Sequence, residues 1–348
     1  MAGKKTTIKE IAEKTGVSIG TVHRAIYGKE GVGEETRRRI LAEVEKMNYK
    51  VDEVASSLKR KELRIAVVLP KASGEERFFF RGIWEGIKKA SDNLEKYKVQ
   101  FTYIESEYNL NEISLELKRL FDTELDEING LITLSDDKES NEWISRFYHQ
   151  GVTVVLLASY GKIENVFSSI KVNHQKAGEL AAEFIQKMLG GRKGEIMLLT
   201  GNQGAYTNQN YGNAFINYLN KYEISNPLIK VDGFGRKEIE QQCRDLLKSE
   251  NIVAIFCCNA RNTYVLCEIL DEYPKRDIIF LGTDVFSELK PYLDNGILTA
   301  VISQMNFEQG ERAVNVLYQY LTTGSRDKKT EEMPVSIVMK SNYEYYMH

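Results

Sequence analysis

Eight short apolar runs recur through residues 64–348, and helical patterns lie between most of them. The runs lie at 64–70, 99–105, 130–135, 152–158, 195–200, 252–258, 278–284 and 297–303, with helical patterns for example at 81–96, 176–189 and 238–249. Continuous Val, Ile and Leu strands that alternate with helices are typical of parallel sheets covered on both faces. Eight or more such strands over 285 residues predict two doubly wound α/β lobes.

Ligands of such folds bind at the carboxyl ends of the strands, which here predicts a cleft between the lobes. An α/β enzyme is the alternative interpretation. However, the turns TGNQG (200–204) and GGRKG (190–194) match neither a dinucleotide-binding GxGxxG nor a P-loop, and residues 64–348 contain no GxSxG or HExxH. We therefore predict no catalytic residue, no cofactor and no metal site.

Residues 1–50 carry a different pattern, that of three short amphipathic helices. Their inward faces are predicted to be Ile8, Ile11 and Ala12, then Val22, Ala25 and Ile26, then Ile40, Leu41, Val44 and Met47. Gly16 can take the left-handed conformation of a tight turn, and the Ser18 hydroxyl can cap the second helix. Three such helices indicate a self-contained helix-turn-helix bundle.

The outward face of the second helix is unusual for a surface exposed to water. Its residues are Ile19, Gly20, Thr21, His23, Arg24 and Tyr27. Glycine in an exposed helix costs about 1 kcal/mol relative to alanine, which close approach to a DNA groove can offset. An arginine can form two hydrogen bonds to a guanine edge. The alternative for Gly20 is that glycine is simply tolerated near a helix start.

Charge and cysteine content are consistent with a nucleic-acid-binding head on an acidic body. Residues 1–61 carry a net charge of +5 and the remainder −8. None of the four cysteines forms a CxxC, so we expect free, buried thiols in a reducing compartment. The N-terminus has no apolar leader, and no run approaches the ~18 apolar residues of a membrane span, so a cytoplasmic protein without membrane contact is expected.

Three stretches carry a resemblance to a known family: TIKEIAEKTGVSIGTVHRAI, VGEETRRRILAEVEKMNYK and VASSL. They resemble the DNA-binding head of the lactose/galactose-repressor (LacI/GalR) family of bacterial transcription regulators. The resemblance implies an all-α helix-turn-helix head (1–50), a hinge (51–63) and a ligand-binding body (64–348) with the two-lobed fold of type I periplasmic binding proteins. It also implies a homodimer that reads a pseudo-palindromic operator in double-stranded DNA.

Residue roles follow from the resemblance by position. It implies phosphate contacts for Thr7, Ser18 and Thr21, base contacts for Ile19, Gly20 and Arg24, and places at the same interface for Ile8, His23 and Tyr27. In the hinge, Ala55 and Leu58 would lie in the minor groove, with Leu58 as an apolar wedge, and Lys59, Arg60 and Lys61 would lie near phosphates. The chain departs from the family at His23, Tyr27 and Gly33, where Ser, Asn and Ser are usual.

In the body, the resemblance implies a first lobe of about 64–172 and 305–328 and a second of about 173–304 and 329–348. Its effector contacts would be Asn259, Asp284 and Gln304, with Phe79, Phe80 and Phe234 as aromatic neighbours of a sugar-like ligand. The FFF run (78–80) is expected in the loop after the first strand. Tyr211 stands where the family has an arginine, and Ala158-Ser159 where it has Asp-Arg. These losses argue against ribose.

Two other functions are compatible with parts of the pattern. One is a small-molecule-binding protein whose basic head docks a partner protein, and the other is an α/β enzyme with a DNA tether. The first predicts salt-insensitive behaviour and no DNA binding, and the second predicts turnover of a sugar or nucleoside.

Overall fold

A three-helix head and two six-stranded sheets make up the computed structural model. It describes residues 6–27, 30–47, 49, 60–74, 77–107, 112–135, 137–158, 166–201, 206–233, 236–248, 251–273, 277–324 and 330–347. The head helices are α1 (Ile8–Thr15), α2 (Ile19–Ile26) and α3 (Glu34–Lys46).

The head folds around five buried residues, and its turn and caps are those expected. The core consists of Ile11, Ala12, Val22, Ala25 and Ile40. Gly16 ends α1 in the left-handed conformation (φ 65°), and the Ser18 hydroxyl caps α2. The prediction for α3 was partly wrong, because Leu41 is 42% exposed while Val44 and Met47 are half-buried. A 13-residue helix packed on only one side buries a narrower stripe than the spacing suggests.

The body alternates strands and helices as the apolar runs predict. Its strands are β1 (Leu63–Pro70), β2 (Val99–Ser106), β3 (Gly130–Thr133), β4 (Thr153–Leu157), β5 (Ser168–Val172), β6 (Glu195–Gly201), β7 (Leu228–Asp232), β8 (Ile252–Cys257), β9 (Ile279–Thr283), β10 (Ala300–Ser303), β11 (Thr330–Met333) and β12 (Ser336–Val338). Its helices are α4 (Arg77–Asp92), α5 (Glu112–Glu124), α6 (Lys138–His149), α7 (His174–Leu189), α8 (Tyr206–Lys221), α9 (Arg236–Leu247), α10 (Ala260–Asp271), α11 (Lys290–Asp294) and α12 (Asn306–Thr323).

The strands form two doubly wound sheets, which confirms the predicted fold class. The first lobe has the order β11-β5-β4-β3-β1-β2, with every pair parallel. The second has the order β12-β10-β9-β8-β6-β7, in which β12, alone among the described strands, runs antiparallel to its neighbour. All eight apolar runs are strands. The strands β5, β7, β11 and β12 were not predicted, because strands at or beside a sheet edge are only partly buried and are less uniformly apolar.

The chain passes between the lobes three times, and one predicted boundary was wrong. The passages lie between β5 and α7, between β10 and α12, and between β11 and β12. The first lobe was predicted to end at about residue 328, but β11 (330–333) pairs with β5 in the first sheet. Arg312 of α12 also holds Glu331 of β11 at 2.8 Å. Sheet pairing therefore assigns β11 to the first lobe.

Helices α4 and α12 touch backbone to backbone in the first lobe. A Cβ added to Gly86 would lie 1.9 Å from the Phe307 carbonyl oxygen, and one added to Gly310 would lie 2.1 Å from that of Ile83. Only glycine allows this approach. The crossing fixes α12, which begins at the second inter-lobe passage, firmly against the first lobe.

Candidate DNA-reading surface and effector cleft

Helix α2 presents the predicted reading surface to solvent while its other face is buried. Ile19 is 53% exposed, Gly20 and Arg24 are exposed, and Val22 and Ala25 lie in the head core. The flanking residues Thr21, His23 and Tyr27 are half-buried. The surface expected from helical periodicity is therefore the surface that the fold leaves open.

The structure of the head does not require glycine at position 20. A Cβ at this position would meet its nearest atom, the Ser18 hydroxyl oxygen, at 3.7 Å, which is an ordinary contact. The residue also lies within α2, where any side chain is sterically allowed. Packing inside the head therefore gives no reason for the missing side chain.

The predicted phosphate contacts lie at two helix N-termini. Thr7 forms a capping box with Glu10, and the Ser18 hydroxyl accepts a hydrogen bond from the Thr21 amide at 3.1 Å. The Ser18 and Thr21 hydroxyls are 2.8 Å apart. Backbone amides and hydroxyls at a helix N-terminus favour anions. Ile8 differs from the others because it packs against the head core.

His23 and Tyr27 form a small aromatic surface on the same helix. Their ring centroids are 4.4 Å apart at an interplanar angle of 39°. The stem of Arg24 runs beside Gly31, where an added Cβ would lie 3.9 Å from Arg24 Cδ. Arg24 Nε would lie 4.0 Å from the same added Cβ, so the turn after α2 lies against the arginine side chain.

The hinge residues are only partly described. Ala55, Leu58 and Lys59 lie outside the described residues. Arg60 was expected near phosphates, but its Nη2 donates a hydrogen bond to the Tyr97 carbonyl at 2.7 Å, and its guanidinium lies over the Tyr318 ring at 5.5 Å. In the structure, Arg60 therefore contacts the body. A ring face attracts a guanidinium through a cation–π interaction, while Arg60 Nε is buried with no hydrogen-bond partner among the described residues.

Asp284 is the centre of a buried polar network beside the second inter-lobe passage. It is 1% exposed and has a φ of 70°, which is rare for residues other than glycine. Its carboxylate accepts hydrogen bonds from Gln304 Nε2 at 3.0 and 3.2 Å and from Asn306 Nδ2 at 3.2 Å. Burial raises the pKa of Asp284 from 3.8 to about 7, against the effect of these donors.

His174 extends this network, and sequence reasoning missed it. Its Nε2 lies 3.0 Å from Gln304 Oε1. Because the Gln304 nitrogen faces Asp284, its oxygen faces His174, and His174 Nε2 must carry the hydrogen. Burial lowers the pKa of His174 from 6.5 to about 4, so the ring is neutral at pH 7. The available signal was a histidine placed two residues after a strand, at an inter-lobe passage.

The remaining polar candidates flank this network in the second lobe. Tyr211 is 1% exposed, and its ring stacks on His174 with centroids 5.5 Å apart. Asn259 caps α10 by accepting a hydrogen bond from the Asn262 amide at 2.9 Å. Asn259 Nδ2 is buried with no hydrogen-bond partner among the described residues. Its two N–H donors are therefore available at the carboxyl end of β8.

The phenylalanine run lies in the first turn of α4, so its assignment to a loop was wrong. Phe80 is 5% exposed and packs in the core of the first lobe, where half-buried Phe79 meets it edge-on. Phe78 contacts the other lobe, with its ring 4.6 Å from Phe286 and 4.9 Å from Tyr264. Apolar residues at successive positions of an amphipathic helix reach different surroundings. Phe234 lies outside the described residues.

Ion pairs join the two lobes beside Phe78. Arg77 and Arg81 of α4 contact the Glu288 carboxylate of the second lobe at 3.3 and 3.4 Å. Asn306 Nδ2 also donates to the Phe79 carbonyl at 3.3 Å. Asn306 therefore connects Asp284 of one lobe with α4 of the other.

Asp284 and His174 are expected to change the stability of the protein with pH in opposite senses. Asp284 binds its proton more tightly when folded, so its contribution to stability is lost as the pH rises from about 4 to about 7. His174 acts in the opposite sense between about pH 4 and 6.5. In Asp284→Asn, the free energy of unfolding relative to the wild type should therefore rise with pH by up to about 1.4 kcal/mol per unit across this window. Urea unfolding at several pH values measures the difference, and parallel profiles would contradict it.

No metal or membrane element accompanies these sites in the described part of the chain. The described His, Cys, Asp and Glu residues form no group able to hold a metal ion. None of the described helices has the length and apolar character needed to cross a bilayer. All four cysteines are free and buried, as predicted.

Comparison with known proteins identifies both parts of the chain. Residues 7–52 match the bacterial regulatory proteins of the lacI family, and residues 65–325 match a periplasmic binding protein domain. The chain is 26% identical over 342 residues to the ribose operon repressor of Bacillus subtilis, covering 95% of this chain and 97% of that protein. It is 24% identical over 345 residues to the transcriptional repressor PurR of Pasteurella multocida, covering 97% and 98%.

Among solved structures, the body shares its fold with sugar-binding proteins of transporters. A solute-binding protein from Burkholderia graminis in complex with D-arabinose superimposes with a TM-score of 0.69 at 19% identity, covering 81% of this chain and 96% of that one. Taken with the helix-turn-helix head, these matches show that the chain belongs to the lacI family of bacterial regulatory proteins. It is a DNA-binding transcriptional regulator that a small molecule controls through the periplasmic-binding-protein domain.

Proposed function

We propose that the protein is a homodimeric repressor whose two heads read a pseudo-palindromic operator and whose effector is a sugar-like molecule held between the lobes. The observation that carries the proposal is the exposed face of α2, where packing inside the head does not require glycine at position 20 and where Arg24 is exposed. Half-site recognition by one short helix is weak, so twofold symmetry is the usual solution in helix-turn-helix proteins.

The proposed division of the chain follows the sheets. A head of 1–50 and a linker of 51–63 precede a body of 64–348, in which the first lobe includes β11. The roles of Ala55 and Leu58 in the minor groove remain part of this proposal. An apolar wedge that bends DNA would bring the two heads onto their half-sites.

Dimerisation is supported by the edge of the first sheet. Strand β2 ends that sheet, and it carries Phe101 and Tyr103, whose rings stack at 6.1 Å. Tyr103 is 40% exposed, and Leu115 of the neighbouring α5 is 54% exposed. An open strand edge with exposed apolar side chains is normally covered in the native protein. A second copy would cover it symmetrically.

The effector class is argued from the chemistry around Asp284. Amide groups, a neutral imidazole and a phenol suit hydroxyl groups, and the names of the relatives include a ribose operon repressor and a D-arabinose complex. Ala158 at the end of β4 offers no charge, whereas the family pattern has a carboxylate there. The uncharged polar groups around Asp284 therefore favour a neutral, hydroxyl-rich ligand over a strongly charged one.

Two measurements test the proposal. Selection from a library of palindromic duplexes should recover a preferred DNA, and its binding should weaken steeply between about 50 and 200 mM salt as counterions are released. Thermal-shift screening of neutral sugars and polyols should identify a ligand that raises the melting temperature. Absence of any retarded duplex at low salt, or salt-insensitive behaviour, would favour a head that docks a protein instead.

Replacing Gly20 with alanine separates DNA contact from tolerance of glycine. The substitution meets no internal clash and removes part of the glycine penalty, so the melting temperature of the head should hold or rise slightly. Affinity for the selected duplex should nevertheless fall by tenfold or more, because the new methyl group holds the backbone away from the groove. Unchanged affinity in a gel-shift titration would mean that glycine is merely tolerated.

A further inference from the structure

The linker joins the body at a specific contact on α12. Arg60 lies three residues before β1 begins, and its guanidinium is held by the Tyr97 carbonyl at 2.7 Å and by the Tyr318 ring at 5.5 Å. The Tyr97 and Tyr318 rings themselves stack with centroids 6.2 Å apart. We call this arrangement of Arg60, Tyr97 and Tyr318 the linker anchor.

The same helix, α12, begins at the second passage between the lobes. Asn306, the first residue of α12, bonds both to the Asp284 carboxylate at 3.2 Å and to the Phe79 carbonyl of α4 at 3.3 Å. Helix α12 continues without a break to Thr323, and Tyr318 lies more than three turns from Asn306. One rigid helix therefore connects the polar network around Asp284 with the linker anchor.

Two further contacts keep this element from bending or sliding freely. Gly86 and Gly310 bring the backbones of α4 and α12 into contact, and Gln309 Nε2 donates to the Gln304 carbonyl at 2.8 Å. A change at Asp284 or Gln304 must therefore be met by a movement of the α4–α12 pair or by breakage of these bonds. Close-packed helices respond to such changes as units.

We propose that Arg60 and Tyr318 are positioning residues that couple the arrangement of the Asp284 network between the lobes to the DNA-reading head through α12. The inference rests on the proposed function, and it assigns to Arg60 a role on the body in place of a phosphate contact. Movement at the effector cleft reaches the anchor as a shift of α12 and changes where the linker leaves the body. The required property is a ring face at position 318 and a guanidinium at position 60.

A double-mutant cycle tests the coupling without an identified effector. Asp284→Asn perturbs the polar network between the lobes. With Tyr318 unchanged, it should change affinity for the selected duplex at least fivefold. In the Tyr318→Leu background the same substitution should change affinity less than twofold, whereas Tyr318→Phe, which keeps the ring, should restore the full effect. Arg146→Ala is the matched control, because the guanidinium of this exposed arginine also lies over a ring, that of Trp143, at 4.2 Å, on a helix of the first lobe that contributes no residue to the anchor.

A measurement on the protein alone tests the anchor itself. Hydrogen exchange of a peptide that spans residues 60–66 should accelerate in Tyr318→Leu and Arg60→Ala, but not in Tyr318→Phe or Arg146→Ala, while peptides of the second lobe stay unchanged. Unaltered exchange in Tyr318→Leu would overturn the anchor. A full Asp284→Asn effect in the Tyr318→Leu background, or no effect of Asp284→Asn on wild-type affinity, would overturn the coupling. Failure of the wild type to retain any duplex would instead refute the proposed function.

Discussion

Replacing Arg24 with alanine is expected to lower discrimination between the selected operator and a scrambled duplex by about 5- to 150-fold. The range corresponds to the ~1–3 kcal/mol that a bidentate arginine–guanine pair contributes. Arg24 is exposed on α2, opposite Val22 and Ala25 of the head core. Its loss should therefore remove the proposed base contact and leave the head folded.

The control for Arg24 is another arginine of the head. Arg38→Ala removes the same charge from an exposed position on α3. It should weaken operator and scrambled DNA by similar factors, because a charge acts on phosphates irrespective of sequence. Gel-shift titrations of both variants on both duplexes give the specificity ratio. An Arg24→Ala variant with the wild-type ratio would show that α2 does not read bases through this side chain.

Replacing Gly86 with alanine should have the largest effect on stability of any single methyl group discussed above. The added Cβ would lie 1.9 Å from the Phe307 carbonyl oxygen and 2.9 Å from the Glu311 amide nitrogen. Both atoms belong to the backbone of α12, so the two helices must separate. Overpacking of this kind typically costs about 1–3 kcal/mol, and we expect a loss of about 3 kcal/mol or more in the free energy of unfolding.

Gly82→Ala is the matched control on the same helix, one turn earlier. There the nearest atom to the new Cβ is the side-chain Cβ of Asn306 at 3.2 Å, which a small adjustment relieves. Urea unfolding should show a loss below about 1 kcal/mol for this variant, since alanine also favours the helix. Equal stability of the two variants would mean that the α4–α12 crossing is looser than the structure indicates.

Apolar periodicity located the buried strands well and the polar edges poorly. The run 152–158 became β4, with all five of its residues buried. Strand β11, with the sequence TEEM, has no apolar run because it lies at a sheet edge and its residues are half-buried or exposed. Its place in the first sheet depends on pairing with β5, about 160 residues earlier in the chain. Local patterns contain no information on such pairing.

The candidate site divides in the same way. Ser18, Gly20 and Arg24 follow from helical geometry and from the family pattern within one short segment. His174 could not be assigned from sequence, because its partner Gln304 lies 130 residues away and its role depends on the orientation of an amide group. Arg60 was predicted near phosphates since a basic linker resembles a DNA contact. A nearby ring face was invisible in the sequence.

The three passages between the lobes have a consequence for synthesis on the ribosome. Ala313, Val314 and Leu317 of α12 belong to the core of the first lobe, and Val338 of β12 belongs to that of the second. Neither core can close until nearly the entire polypeptide has emerged from the exit tunnel. The head is made first and can fold at once, but Arg60 must wait for Tyr318. A nascent chain would therefore carry a folded DNA-binding head before it has any means of responding to a ligand.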